Sequence, residues 1–510
     1  MKSDLAVKLE NITKTFGSTV ANDKVNLDLK FGEVLALLGE NGSGKTTLMN
    51  MLGGLYYPDS GDIYINGKKV SITSPKDSFD LGIGMIHQHF KLIDVFTTAE
   101  NIMLTLPEDT KYNKKDIEKK IYEICKRYGF EIDVNKKTYN MSVSEKQTVE
   151  ILKVLVRGAD ILILDEPTAV LTPQEIEKLF KILKTMRDDG KAIIIITHKL
   201  NEVLEVSDRV SILRKGEYID TVNTKETTSS ELTEKMVGRK VDLSIDRNKT
   251  DFNEEVLEIV DLCATDEEGI QVLKKANLTL KAGEILGIAG ISGSGQRELC
   301  ECVYGLYKNK TGVVNLVREG KKFNILGLSP EQITKKGYSI GFVPEDRLGM
   351  GLVGELGTGD NMILKNYKND KGFFVDFGRS KRIAEKVIKD LEIKTPGVST
   401  PVKRLSGGNI QKVLVGREIE GYPEILIVSY PVRGLDINSS YTIYDLLNRE
   451  KERGAGVIFV GEDLDVLIEI SDRLAVMYNG EIIDVVDPTK VTKDDIGLLM
   501  MGKKLEVVNG

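Results

Sequence analysis

A glycine-rich segment in the first tenth of the chain combines the residue types that bind phosphate. It reads Gly-Glu-Asn-Gly-Ser-Gly-Lys-Thr, follows an apolar run and precedes a helical pattern. Glycines let backbone amides approach phosphate oxygens, and a helix N-terminus adds positive potential. Lys45 is expected to reach the β- and γ-phosphates, and the Thr46 hydroxyl to ligate Mg²⁺. The residues predicted to contact the nucleotide here are Gly39, Glu40, Asn41, Gly42, Ser43, Gly44, Lys45, Thr46 and Thr47.

Two further apolar runs end in groups suited to hydrolysis. Ile161–Leu164 leads into Asp165 and Glu166, and another run ends at His198. Asp165 is predicted to hold Mg²⁺, and Glu166 to polarise the attacking water. His198 is predicted to contact the γ-phosphate. An acidic strand end facing solvent and a structural histidine are the alternatives, and the accompanying phosphate loop favours the catalytic interpretation.

The second half of the chain repeats the first at a constant spacing. Ser207-Asp208-Arg209 recurs as Ser471-Asp472-Arg473, and Ser142 corresponds to Ser406, both 264 residues apart. A repeat this long indicates a duplicated domain rather than a solenoid. We predict one domain over residues 5–240, a polar linker over 241–255 and a second domain over 256–503.

Short β-branched runs alternate with helical patterns in each copy, which predicts an α/β fold. The runs are expected to form buried parallel strands. The fold class is therefore predicted as tandem P-loop NTPase domains, each with a mostly parallel sheet. A helical lobe is predicted to be inserted in each, over 111–153 and 379–420. The predicted strands are Val34–Leu38, Ile161–Leu164, Ala192–Ile196, Ile285–Ala289, Ile425–Val428 and Val457–Val460.

Together these motifs resemble the ATPase subunits of ABC transporters. The resemblance implies ATP as the nucleotide and Mg²⁺ as its cofactor. Gln88, within Ile86–Phe90, matches the family's glutamine loop, which links the nucleotide to the membrane partner and is implied as a metal ligand. Phe16 precedes Lys45 at the distance where the family places an aromatic that stacks on adenine. The alternative for Phe16 is a core aromatic.

The second copy lacks the phosphate-binding and catalytic side chains of the first. Its loop keeps its glycines but has Gln296 and Arg297 in place of the lysine and threonine. Ser429 and Tyr430 replace the acidic pair, and Glu462 replaces the histidine. Losing these groups costs orders of magnitude in rate, so this copy is predicted not to hydrolyse ATP.

The signature segment of the family shows the opposite pattern. It is intact in the second copy, as Leu405–Asn409, and lacks both glycines in the first, as Met141–Glu145. In ABC ATPases two domains pair head to tail, so that each ATP lies between one phosphate loop and the other domain's signature. The resemblance therefore implies one competent site, completed by Ser406, Gly407 and Gly408, and one degenerate site.

The whole chain resembles one subgroup, the fused two-domain ATPases of importers for ribose-type sugars and nucleosides. Pro344–Arg347 and Gln296 are shared with the subgroup, and Met85–Phe90 favours nucleosides over sugars. The resemblance implies two transmembrane permease subunits and an extracytoplasmic solute-binding lipoprotein as partners. It also implies a peripheral location on the cytoplasmic face of the cell membrane.

The composition of the chain disfavours several other classes of protein. A net charge of −7 argues against nucleic-acid binding. No apolar run reaches the length of a membrane span, and Met1–Glu10 does not read as a signal peptide. Two alternatives stay open: a soluble tandem ABC protein that acts on ribosomes or DNA, and a regulatory module without turnover. The single broken site disfavours the first, and the complete first set of catalytic residues disfavours the second.

Overall fold

The computed structural model describes residues 4–88, 90–106, 113–240, 244–251, 253–365, 367 and 376–504. The chain forms two compact units, Met1–Asp242 and Leu243–Gly510. Each unit is described by itself.

The first unit contains ten strands and eight α-helices within its described residues. The strands are β1 Leu5–Phe16, β2 Thr19–Lys30, β3 Glu33–Leu38, β4 Ser60–Ile65, β5 Lys68–Val70, β6 Ile83–Ile86, β7 Ile161–Asp165, β8 Ala192–Ile196, β9 Arg209–Arg214 and β10 Glu217–Asn223. The helices are α1 Lys45–Leu52, α2 Pro75–Asp80, α3 Thr98–Met103, α4 Lys114–Tyr128, α5 Val143–Val156, α6 Pro173–Asp188, α7 Leu200–Val206 and α8 Ser229–Val237.

The strands of the first unit follow the order β5-β4-β1-β2-β10-β9-β3-β8-β7-β6. Strands β9, β3, β8, β7 and β6 pair in parallel. Every residue of β3, β7 and β8 is buried, as expected for parallel strands covered on both faces. The carboxyl ends of these strands meet at one edge of the sheet, and this edge positions the predicted catalytic residues.

A small helical lobe packs beside this sheet. It consists of α3, α4 and α5, which contact one another through Ile102, Ile117, Ile121, Ile151 and Leu155. The helical segment predicted over 111–153 is thus α4 and most of α5; residues 111 and 112 lie outside the described residues.

The second unit repeats these elements. Its strands are β11 Glu255–Thr265, β12 Gln271–Lys281, β13 Ile285–Gly290, β14 Lys310–Arg318, β15 Lys321–Asn324, β16 Ile340–Val343, β17 Ile425–Ser429, β18 Gly456–Val460, β19 Arg473–Tyr478 and β20 Glu481–Val486. Its helices are α9 Gln296–Tyr304, α10 Pro330–Lys335, α11 Thr358–Ile363, α12 Phe377–Asp390, α13 Gly407–Glu420, α14 Ile437–Glu452, α15 Leu464–Ile470 and α16 Lys493–Met500.

The strand order of the second unit matches that of the first. Strands β16-β17-β18-β13-β19-β20 form one sheet in the order of β6-β7-β8-β3-β9-β10, parallel up to β19. A four-stranded antiparallel sheet, β12-β11-β14-β15, accompanies it. The predicted fold class, a mostly parallel α/β core in each copy with helical content, is confirmed.

Part of the predicted linker is hydrogen-bonded to the second unit. Arg247 Nε donates to the Glu469 carbonyl at 3.0 Å, and Thr250 Oγ1 to the Gly283 carbonyl at 2.7 Å. Residues 241–243 and 252 lie outside the described residues. Residues 244–251 therefore run along the second unit, while the domain limits as a set stay a prediction.

Candidate active site

The glycine-rich loop joins β3 to α1 at the carboxyl edge of the first sheet. Gly42 and Gly44 have positive φ angles of 79° and 95°. A Cβ at Gly44 would lie 2.3 Å from the Ala21 carbonyl, so only glycine fits there. No acidic residue stands in the first turn of α1. The loop amides and the start of the helix thus form a surface suited to an anion.

Lys45 lies within this loop. Its ammonium donates to the carbonyls of Gly39 at 2.6 Å and Glu40 at 3.0 Å, and the residue is only 6% exposed. Burial lowers the pKa of Lys45, and the nearby carboxylates of Glu166 and Asp165 oppose that effect. A buried cation held by loop carbonyls, beside the backbone amides of the same loop, suits a phosphate.

Asp165 and Glu166 stand where β7 ends, and His198 follows β8 by two positions. The Glu166 amide donates to the Ile196 carbonyl at 2.9 Å, and its φ of 48° turns the side chain away from the strand path. Glu166 Oε1 and His198 Nδ1 are 2.8 Å apart. This bond raises the pKa of His198, whose side chain is 54% exposed, and partial desolvation of the ring opposes the rise.

Two buried oxygens of this site lack a partner among the described residues. They are Glu166 Oε2 and Ser43 Oγ. Burial and the charge of Glu166 raise the pKa of Asp165 to about 6. Adjacent buried carboxylates repel each other, and a divalent cation would relieve this repulsion. The donor set therefore fits a nucleotide with its metal.

Phe16 and Gln88 lie nearer the surface. Phe16 ends β1, is 44% exposed and meets Tyr56 edge to face, with 5.2 Å between ring centroids. This exposure contradicts the core-aromatic alternative. Gln88 is an exposed residue two positions after β6, which pairs with β7. Stacking on adenine and metal binding by these residues stay predictions, as does metal binding by Thr46, which is exposed in the first turn of α1.

The second unit keeps the backbone of the loop without its cation. Gly293 and Gly295 have positive φ angles of 86° and 99°. Gln296, 2% exposed, donates from Nε2 to the Ile291 carbonyl at 3.1 Å, as Lys45 does to Glu40. Arg297 extends along α9 to Glu301, with Nε and Oε1 2.6 Å apart. A neutral amide thus closes the loop here.

The end of β17 has the same backbone conformation as the end of β7. The Tyr430 amide donates to the Val460 carbonyl at 2.8 Å, and its φ is 50°, as at Glu166. Ser429 ends β17 with a buried hydroxyl that has no partner among the described residues. Neither side chain is an ionised carboxylate, and burial raises the pKa of Tyr430.

The two signature segments begin their helices differently. In the first unit, the Glu145 amide donates to Ser142 Oγ at 3.2 Å and the Ser142 amide to Glu145 Oε2 at 2.7 Å. This capping box places a carboxylate at the start of α5. In the second unit, Ser406 forms no side-chain cap on α13, whose first turn has no acidic residue. Glu145 is also paired with Lys136, whose ammonium lies 2.7 Å from Oε2, so an ion pair occupies the start of α5, whereas the first turn of α13 carries no carboxylate.

Comparison with known proteins agrees with these motifs. A model of the ABC transporter family matches residues 22–169 and 273–432. The chain belongs to the ABC transporter family. It is an ABC ATP-binding protein. The family and the ATPase class predicted from the motifs are therefore confirmed.

Three relatives align over nearly the whole chain. The nucleoside import ATP-binding protein NupA of Lactococcus lactis is 42% identical over 98% of this chain and 99% of its own. The guanosine import ATP-binding protein NupO of Bacillus subtilis is 43% identical over 98% of both chains. A glucose import ATP-binding protein of Haloferax volcanii is 40% identical over 97% of this chain and 96% of its own.

The second unit of this ABC protein contains an ion cluster that sequence reasoning missed. Arg433 Nε lies 2.9 Å from Glu462 Oε1, and its Nη1 contacts Glu345 Oε1. Glu345 follows β16 by two positions, as Gln88 follows β6. Arg433 thus bridges the positions equivalent to Gln88 and His198. The sequence does contain a signal for this cluster: Arg433 follows Tyr430 by three residues, and acidic residues stand at the positions equivalent to Gln88 and His198.

Within the described ranges, no helix of this ABC protein combines the length and apolar character that crossing a membrane requires.

Proposed function

We propose that the chain is the ATP-hydrolysing, energy-coupling subunit of an ABC importer for nucleosides. The bonded pair Glu166–His198 beside the buried Lys45 supports the ATPase activity. The identity to NupA and NupO over nearly the whole chain supports the import of nucleosides.

Hydrolysis uses one oxygen of Glu166. His198 holds Oε1, which leaves the buried Oε2, without a partner among the described residues, to accept a proton from the attacking water. Lys45 and the loop amides bind the β- and γ-phosphates and stabilise the charge that develops there. Thr46, Asp165 and Gln88 would hold Mg²⁺, which neutralises phosphate charge.

The competent site is proposed to be completed by Ser406, Gly407 and Gly408 of the second copy. The open start of α13 supports this assignment, and the carboxylate at the start of α5 disfavours the reverse one. The phosphate loop of the second copy would then belong to a degenerate site. In that arrangement the copy without catalytic residues is still required for hydrolysis.

The partners follow from this function. Two transmembrane permease subunits would bind near the glutamine loops, and a solute-binding lipoprotein outside the cytoplasm would deliver the nucleoside. The chain would then be peripheral, on the cytoplasmic face of the membrane. ATP binding would close the paired domains and hydrolysis would reopen them. No nucleic acid takes part.

Uptake in cells that lack this chain tests the proposal. Complementation with the wild type should restore uptake of labelled guanosine or uridine, but not of ribose. Lys45→Ala and Glu166→Gln should abolish uptake and ATP hydrolysis, whereas Gln296→Ala should leave both near the wild-type value. A Gln296→Ala protein as inactive as Lys45→Ala would contradict the one-site assignment.

A sugar importer, of the ribose type or another, is the second candidate. The 40% identity to a glucose import ATP-binding protein favours it. Restored ribose or glucose uptake, with nucleoside uptake unchanged, would establish this alternative instead.

A further inference from the structure

Arg347 is a half-buried guanidinium at the N-terminus of α13. Its Nη1 would lie 3.3 Å from a Cβ on Gly407, so the guanidinium stands close to the backbone of this glycine. Among the described residues, Arg347 forms no ion pair with a carboxylate. It starts the helical turn Arg347–Gly351, and a Cβ at Gly351 would lie 2.8 Å from Leu414 of α13. Packing against the helix therefore fixes the position of this arginine.

The guanidinium is also oriented from its other side. Arg347 Nη2 donates to the carbonyl of Arg433. The Arg433 side chain is in turn held by Glu345 and Glu462, whose two charges offset it. The ion cluster of the second unit therefore supports the Arg347 guanidinium without neutralising it. Burial and the charge of Arg433 lower the pKa of Arg347, as expected for a cation that lacks an anionic partner.

The equivalent place in the first unit has the opposite character. Four positions after β6, as Arg347 is after β16, the residue is Phe90. The start of α5 carries Glu145, whereas the start of α13 carries two glycines and Arg347. The start of α5 is thus occupied by the Glu145–Lys136 ion pair, whereas the start of α13 faces the Arg347 guanidinium. An arginine that has no ion pair within the described part of the chain and lies beside exposed helix amides is suited to a phosphate.

We propose that Arg347 is a phosphate-binding residue, whose guanidinium contacts the terminal phosphate of the ATP bound at Ser406–Gly408. The inference rests on the proposed function, in which this segment completes the competent site. It adds a side-chain cation to a segment that otherwise offers only a hydroxyl and backbone amides.

Nucleotide affinity of the full-length protein tests this contact. In a Glu166→Gln background, which prevents turnover, Arg347→Ala should weaken ATP binding by about 30-fold, the lower end for truncating one partner of a buried charge pair. The affinity for ADP should stay unchanged, because ADP lacks the terminal phosphate. Arg347→Lys should retain part of the ATP affinity. Arg382→Ala, on the exposed face of α12, is the matched control and should change neither affinity.

Two results overturn the assignment of Arg347: unchanged ATP affinity in Arg347→Ala, or an equal loss of affinity for ATP and ADP. Ser406→Ala separates this from the proposed function: if it weakens ATP binding while Arg347→Ala does not, only the arginine assignment is wrong. If neither weakens it, the completion of the site by this segment is wrong as well. Should Arg347→Ala not fold, Arg347→Met keeps the aliphatic stem and gives the same readout.

Discussion

We expect Ser142→Ala to lower stability but not ATP hydrolysis, and Ser406→Ala to lower ATP hydrolysis but hardly stability. Ser142 Oγ accepts a backbone amide of its own helix, so its loss removes a helix cap. Removal of such a cap costs about 1 kcal/mol of unfolding free energy. In a unit of this size that corresponds to a fall of about 2–4 °C in the melting temperature. ATP hydrolysis should stay near the wild-type rate.

Ser406 makes no comparable bond. Among the described residues its hydroxyl accepts a hydrogen bond only from Asn409 Nδ2, at 2.8 Å and in an exposed position. Ser406→Ala should therefore change the melting temperature less than Ser142→Ala does. It should lower kcat/KM for ATP by at least about tenfold, because a phosphate contact made in the transition state is lost.

Calorimetric unfolding and steady-state ATPase assays of both purified variants measure these effects. The reasoning is refuted if Ser142→Ala lowers hydrolysis as much as Ser406→Ala. It is also refuted if Ser406→Ala destabilises the protein and leaves hydrolysis intact. Either result would mean that the different helix starts do not mark which signature contacts ATP.

The contacts at the two phosphate loops and at Glu166 also predict the effects of further substitutions. Gly44→Ala should reduce nucleotide affinity far more than Gly42→Ala, because its methyl group would meet the Ala21 carbonyl at 2.3 Å while that of Gly42 meets open space; equilibrium binding checks this. His198→Ala frees Glu166 and should lower kcat about 100-fold. The bond to Glu166 raises the pKa of His198 above its ordinary 6.5, so its stabilising effect is present below that pH and is lost as the pH rises through the raised pKa. The difference in unfolding free energy between wild type and His198→Ala should shrink accordingly. Gln296→Lys should not raise the ATPase rate above that of the wild type. It should unfold at a lower temperature, because it buries an ammonium without a carboxylate partner.

The phosphate loop and the buried strands were predictable because their signals are local. A strand, a glycine-rich turn and a helix start occupy one short stretch, and each requires particular residue types there. The acidic pair at Asp165 and Glu166 was predictable for the same reason, since it directly follows an apolar run. The capping box at Ser142 is also visible in the sequence, as a serine followed three residues later by a glutamate, within the segment that lacks the signature glycines.

The Glu345–Arg433–Glu462 cluster could not be read from spacing. Its arginine and first carboxylate are 88 residues apart, and the two carboxylates stand on different loops. In the sequence Arg433 looks like an ordinary surface charge, Glu345 is only part of the Pro344–Arg347 motif, and Glu462 is only the residue in place of the histidine. Only the parallel order β16-β17-β18 brings the loop ends together. The approach of Arg347 to Gly407 depends on the same long-range packing.

The losses in the second unit are changes of chemistry within an unchanged backbone. Gln296 keeps the loop bond of Lys45, and Tyr430 keeps the φ angle and the amide bond of Glu166. Arg433 then fills the space between the former glutamine and histidine positions with a charge that Glu345 and Glu462 compensate. Restoring one catalytic residue would therefore break a satisfied arrangement without completing another. Under the proposed pairing, the second unit would be a stable support for its own signature segment rather than a failed copy of the first, because Leu405–Asn409 keeps the two glycines that Met141–Glu145 lacks.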